Sequence, residues 1–299
     1  MAKYANLIEG GAIERSYLEK VLITAAEGLP DDYIVIAKHC WQKLPPVGER
    51  SIRQKKIVLI ENSNETHTAP RELLREDVCI IFSSYFVLDQ WGEPIYSHKL
   101  LPLPLPHAMD DAKIIPMHER RYDFSFVGQI PATGTRHNFK EQLNQALKSL
   151  PYTSFVSYTD SFLGGLPREE YLEVLSQTKI ALCPAGAYSL ETFRFFEASR
   201  AGCLVMCEQL PKMWFYEQSP WMCARWSSVG DAIDYAMQQG EKFLEEVQNN
   251  TLEFYNNCAH PVSVGKYISH NTLNQSDGEL HPFLVKSASY QESINQETV

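Results

Sequence analysis

The sequence predicts an α/β protein made of two Rossmann-like, doubly wound halves, and three observations carry that prediction. Short, continuous apolar runs alternate with segments of helical spacing along most of the chain. A segment with proline at every second position interrupts this alternation after the first hundred residues. The length of 299 residues, with 44% hydrophobic and 21% charged content, suits two domains of ordinary size better than one.

In the first hundred residues, SYLEKVLITAAEG (16–28) has helical spacing, while YIVIAKH (33–39), KIVLIEN (56–62) and VCIIFSSYF (78–86) are unbroken apolar runs. Runs of that kind fit parallel strands covered on both faces. The segment LPLPLP (101–106) excludes a helix and a central strand, because each proline lacks an N–H, and it reads as an extended bridge closing the first domain. Beyond it the alternation resumes. DFSFVGQ (123–129), YTSFVSY (152–158), KIALCPAG (179–186) and CLVMCEQ (203–209) are strand signals, the third ending in a turn. Between them lie helix signals at 135–150, at 167–177 with Pro167 opening it, and at 191–202 with Gly202 stopping it. Helices over 229–240 and 241–257 follow, after which apolar periodicity fades and a polar, poorly ordered tail is expected from about His270. The expected domains are therefore 1–110, 111–258 and a C-terminal extension over 259–299. Two halves rich in strand–helix units imply a cleft between them, a common location for a small-molecule site.

Bulk properties exclude several classes. A net charge of −10 leaves no cationic surplus for general nucleic-acid binding, although a local basic pocket for a diphosphate is compatible with it. The first 28 residues carry Glu9, Glu14 and Glu19 and lack a basic start, so no secretory signal is expected, and no window reaches the roughly 18 apolar residues of a membrane span. Seven scattered cysteines without a CxxC pair fit reduced thiols, and the expected location is the cytoplasm, where a peripheral encounter with a membrane-bound acceptor is still open. Cys203 and Cys207 would share one face of a strand but lack further metal ligands.

The most informative stretch runs Cys183-Pro184-Ala185-Gly186, then Glu191-Thr192-Phe193-Arg194-Phe195-Phe196-Glu197-Ala198, then Gly202-Cys203. It reads as strand, glycine-containing loop, helix and strand, and ligands of open α/β sheets bind where such loops leave the carboxyl ends of strands. A helix beginning near Glu191 and Thr192 would offer free N–H groups to a phosphate. Arg194 adds a forked, permanently charged donor suited to a diphosphate. Glu197, three residues on, shares its face and can accept from ribose hydroxyls. Spacing alone favours an exposed i,i+3 ion pair of little energetic weight, and it is the motif around the two residues that favours the site.

The run from Tyr171 to Val205 resembles the C-terminal signature of the exostosin-type glycosyltransferases, with Cys183, Pro184, Gly186, Glu191, Thr192, Arg194, Glu197, Ala198, Gly202 and Cys203 in its positions. Thr192 stands for the usual Ser and Glu191 for the common Asp. Weaker resemblance extends from about residue 122 to 235. What the resemblance implies is a GT-B fold, a nucleoside-diphosphate sugar held by Gly186, Glu191, Thr192, Arg194 and Glu197 in the C-terminal domain, and a saccharide acceptor bound mainly by the N-terminal one, as in polysaccharide biosynthesis.

Three further expectations complete the reading. Arg136, in the loop after Gly128 and Gly134, is placed to reach the same diphosphate, with a purely structural role equally open. The polar run ENSNETHTAPRE (61–72) after a strand offers Glu65 and His67 as the base that would take an acceptor proton, or is simply a solvated loop. The chain contains no Asp-x-Asp, which agrees with a metal-independent transferase in which arginines and helix dipoles hold the leaving group, so no cofactor is expected. A catalytically silent nucleotide- or sugar-binding module, or an enzyme that processes the nucleotide sugar without an acceptor, stand as alternatives.

Overall fold

The structure is a computed structural model that describes residues 3–10, 12–46, 55–63, 67–85, 99–108, 112–130, 135–161, 164–186, 190–208, 210 and 213–274. In chain order the elements of the first hundred residues are β1 (Tyr4–Asn6), α1 (Arg15–Glu27), β2 (Tyr33–His39), β3 (Lys56–Asn62), β4 (Val78–Ser83) and β5 (Leu100–Pro102). Then come β6 (Tyr122–Gln129), α2 (Thr135–Ala146), β7 (Ser154–Thr159), α3 (Arg168–Ser176), β8 (Thr178–Cys183), α4 (Arg194–Arg200) and β9 (Leu204–Cys207). The chain closes with α5 (Trp214–Glu217), β10 (Met222–Cys223), α6 (Val229–Gln238), α7 (Glu241–Phe254) and α8 (Pro261–Leu273). The strands form two five-stranded parallel sheets within two compact units. One unit combines residues up to 109 with those from 256, and the other runs from 110 to 255.

In the first unit the strands lie side by side in chain order, β1-β2-β3-β4-β5. The apolar runs of β2, β3 and β4 are buried almost throughout, as parallel strands covered on both faces require, with Ile36 in register with Leu59 and Leu59 with Ile81. Pro102 is accommodated because β5 is an edge strand, where a missing N–H interrupts no interior ladder, and Pro104 and Pro106 lie beyond the strand.

The separate C-terminal extension expected from 259 is corrected here: residues 261–273 form α8, which packs along α1 in the first unit. Of the tail expected from about His270, α8 takes the first residues as far as Leu273; residues beyond 274 lie outside the described ones. The fading apolar periodicity has a packing reason. A Cβ on Gly265 would come within 2.6 Å of Thr24 Cβ, and a Cβ on Gly28 within 2.8 Å of Ser269 Cβ, so the two helices meet through small residues at near-backbone contact.

In the second unit the strand order is β10-β9-β8-β6-β7. Chain order therefore reverses between β6 and β8, the feature that makes a parallel sheet doubly wound and parts the loops at its carboxyl edge. One face buries Phe124, Phe126, Ile180, Leu182, Leu204 and Met206 against Phe139 and Leu143 of α2 and Ile233 and Ala236 of α6. Alternation along the strands turns Ser125, Cys183 and Cys207 to the other face. Gly202, at φ +69°, ends the turn after α4 in the left-handed region that glycine adopts without strain. Among the described residues no helix is long and apolar enough to cross a membrane.

Candidate functional site

The reversal of strand order sets the site. β6 leads at its carboxyl end to α2, whose second residue is Arg136, and β8 leads to α4, whose first residue is Arg194. Both arginines thus belong to the two loops that part at the switch point, and both are buried, at 8% and 9% exposure. Arg136 is anchored by backbone: its Nε donates to Ala185 O at 2.5 Å and its Nη1 to Gln129 O at 3.2 Å. Arg194 lies against the backbone of Gly128 and over the ring of Phe126, Cζ 5.5 Å from the ring centroid. Among the described residues, its Nε and Nη1 meet no hydrogen-bond partner.

A third buried arginine shows the contrast. Arg120, at 4% exposure, donates to Ile115 O, Thr178 O and Ala201 O, tying the end of α4 to the start of β8. A guanidinium with five donors settled on three carbonyls is structural. The Arg194 guanidinium carries the same desolvation without that compensation, and buried charge of this kind calls for an anion. Burial, reinforced by the like charge of Arg194, draws the Arg136 pKa down to about 10, so it keeps its charge near neutrality. Glu208, just past β9, supplies negative charge to Arg136, yet its Oε2 is engaged by the Ala185 N–H at 3.1 Å. The arrangement is two cations over a glycine backbone, suited to a polyanion such as a diphosphate.

The other expected residues are distributed differently. The helix expected to start at Glu191 starts at Arg194, so Glu191 and Thr192 are not its first turn. Glu191 is buried and accepts from the Tyr216 hydroxyl, which fixes the loop to α5. Thr192 is buried and its carbonyl accepts from the Phe195 N–H. Gly186, half-buried, is the last described residue before 187–189.

Glu197 is neither an exposed partner of Arg194 nor open to solvent. Its side chain is 1% exposed; Oε1 accepts from Arg168 Nη1 at 2.7 Å and Oε2 from the Tyr171 hydroxyl at 2.9 Å. The reason is that six of the seven residues of α4 are buried, so the helix has a neighbour on each side and residues one turn apart face different partners. His67, in the first unit, has φ 56° and its ring meets that of Tyr85 edge-on at 6.4 Å; Glu65 lies outside the described residues. Gly134 also lies outside them.

Cys207 pairs in register with Cys223 of β10, while Cys203 donates to Leu175 O on the α3 side. The two cysteines, which the sequence places on one strand face without further metal ligands, have separate partners. Among the described residues one group has metal-ligand spacing, the surface trio His118, Glu241 and Glu245, and it includes none of the residues around Arg194. The reading from sequence missed Arg168, Tyr171 and Glu208. Of these, Glu208 had a usable signal, an acidic residue at the carboxyl end of a parallel strand.

No protein-family model and no curated protein matches the chain. Solved structures do resemble it. The N-terminal domain of trehalose-6-phosphate phosphatase from Candida albicans is 11% identical over 90% of this chain and 77% of that one, with a TM-score of 0.52. Anabaena HepE in complex with UDP-glucose is 8% identical, covers 86% and 82%, and has a TM-score of 0.47. An α,α-trehalose-phosphate synthase (UDP-forming) from Burkholderia vietnamiensis is 9% identical, covers 90% and 80%, and has a TM-score of 0.48. At such identities the likeness concerns the fold: two parallel α/β domains of five strands each, the GT-B class.

Proposed function

We propose that the chain is a GT-B glycosyltransferase, of exostosin type, that moves a sugar from a nucleoside-diphosphate sugar to a hydroxyl of a saccharide acceptor in the cytoplasm without a metal. One observation carries the reading: the buried Arg194 guanidinium, with Nε and Nη1 lacking partners among the described residues, stands beside buried Arg136 at the switch point of the second sheet. The ten-residue motif from Cys183 to Cys203 supports the same assignment.

In this reading Arg194 binds the diphosphate and stabilises the charge that grows on it as the sugar–phosphate bond breaks. Arg136, held by Ala185 O and Gln129 O, adds a fixed second charge, and backbone from Gly186 onward closes on the phosphates. Glu197 orients the ribose; a carboxylate has about four acceptor sites, of which Arg168 and Tyr171 occupy two. Glu65 or His67 takes the acceptor proton.

Thermal denaturation with UDP, GDP, CDP and ADP, each beside its nucleoside, tests the proposal, since a ligand that binds only the folded chain raises its apparent stability. The expected result is an upward shift with one nucleoside diphosphate, little with its nucleoside, and slow release of that diphosphate from the matching sugar donor. No shift with any of the four overturns the assignment. Binding without release across sugar donors leaves a silent binding module, and a changed sugar without acceptor leaves a sugar-processing enzyme.

A further inference from the structure

At the carboxyl edge of the second sheet three cysteines stand in one row: Cys183 of β8 is in register with Cys207 of β9, and Cys207 with Cys223 of β10. Neighbouring parallel strands lie about 4.8 Å apart, within the roughly 4.4–6.8 Å of Cα separation that a disulfide spans. We infer that Cys207 and Cys223 form a reversible disulfide site on the rim of the arginine pair, with Cys223 as the thiol that meets the oxidant and Cys207 as the one that closes the bond.

Exposure assigns these roles. Cys183 and Cys207 are fully buried, whereas Cys223 is exposed on the edge strand. The neighbouring Cys207 thiol draws the Cys223 pKa down to about 7 while its own is held well above the ordinary thiol range, and the Cys223 thiol lies 3.7 Å from Glu208 O. Near neutral pH a good share of Cys223 is thiolate, the reactive form. Cys183 stands on β8 with β9 between it and β10, so the third thiol of the row is not next to the oxidised Cys223 sulfur.

With hydrogen peroxide as oxidant the chemistry balances. The Cys223 thiolate attacks one peroxide oxygen, the O–O bond breaks, and hydroxide leaves, giving Cys223 sulfenic acid. The Cys207 sulfur then attacks the Cys223 sulfur, the S–O bond breaks, and the departing hydroxide takes the Cys207 proton as water. The protein loses two electrons and two hydrogens, and peroxide becomes two waters. The new bond would form one residue before Glu208, whose carboxylate holds the Ala185 amide while Ala185 O receives Arg136.

The test uses the whole chain, reduced, freed of reductant and titrated with hydrogen peroxide. The expected product is about 2 Da lighter, lacks two of the seven free thiols, and returns to its starting mass with dithiothreitol. After trypsin under non-reducing conditions, the peptide 201–212 is joined to 213–225, with fragmentation assigning Cys207 rather than Cys203. Cys223→Ser abolishes the mass loss, whereas Cys258→Ser, in the first unit, preserves it. A stable sulfinic acid on Cys223, a link from Cys207 to Cys183, or seven unreacted thiols overturns the inference.

Discussion

The Arg194 guanidinium fills the space that a side chain on residue 128 would need: a Cβ there would collide with Nη2 and sit 3.1 Å from Cζ. Glycine at this position is thus a condition for the buried cation, and the close approach, rather than backbone conformation, requires it. Gly128→Ala should displace the guanidinium and weaken nucleoside-diphosphate binding by about tenfold or more, equivalent to ~1.4 kcal/mol. Calorimetric titration measures it; unchanged affinity would separate the arginine from the ligand.

Arg194→Met tests the same cation from the side of stability. Methionine keeps apolar contact with Phe126 while removing a buried charge, and such replacements often stabilise by about 1 kcal/mol or more. The unliganded variant should melt ~2–4 °C higher, yet lose the shift induced by nucleoside diphosphate. A lower melting temperature would mean that Arg194 is already compensated.

Glu197→Gln separates two roles. Its carboxylate carries Arg168 and Tyr171, and Arg168 is about one-third exposed, so loss of the charge should destabilise by only about 1 kcal/mol. A ribose contact adds a second effect, weaker binding of nucleoside and nucleotide alike, read by titration at a temperature where the variant is fully folded. Wild-type affinity for both would leave Glu197 as support for α4.

Lys38 makes a prediction for the first unit. Fully buried at the carboxyl end of β2, it lies 2.9 Å from Glu61 and 3.3 Å from Glu72. Lys38→Met strands two carboxylates and should cost about 3–5 kcal/mol in urea denaturation. Adding Glu61→Gln should recover part of that loss, which no packing defect would do.

For Cys223, alkylation by iodoacetamide should rise with pH around a midpoint of about 7, because the Cys207 thiol in register beside it lowers its pKa. Cys207→Ala removes that neighbour and should move the midpoint up towards an ordinary cysteine, about 8.5. Mass mapping of the labelled peptide at a series of pH values checks it.

Much of the fold was legible because long parallel strands announce themselves: β2 and β3 are buried apolar runs with the bounds their sequences imply. β1, β5 and β10 have two or three residues each, too few for a pattern, and exist through neighbours already in the sheet. α8 hid because small residues, Gly265 and Ser269, meet α1 at near-backbone distance and interrupt the apolar spacing. The placement of Arg194 and Arg136 beyond the carboxyl ends of β8 and β6 was legible from the strand signals before them. The direction of Glu197 was not, since helical spacing fixes a shared face only when a helix has one neighbour, and α4 is enclosed.

Because α8 belongs to the unit that begins the chain, synthesis and folding run out of step. When residue 109 leaves the ribosome, α1 has no cover along the side that Gly265 and Ser269 will occupy, and about 150 residues of the other unit must follow before that cover is made. The half translated first is the half finished last, and a chain cut before residue 261 lacks the helix that closes that side.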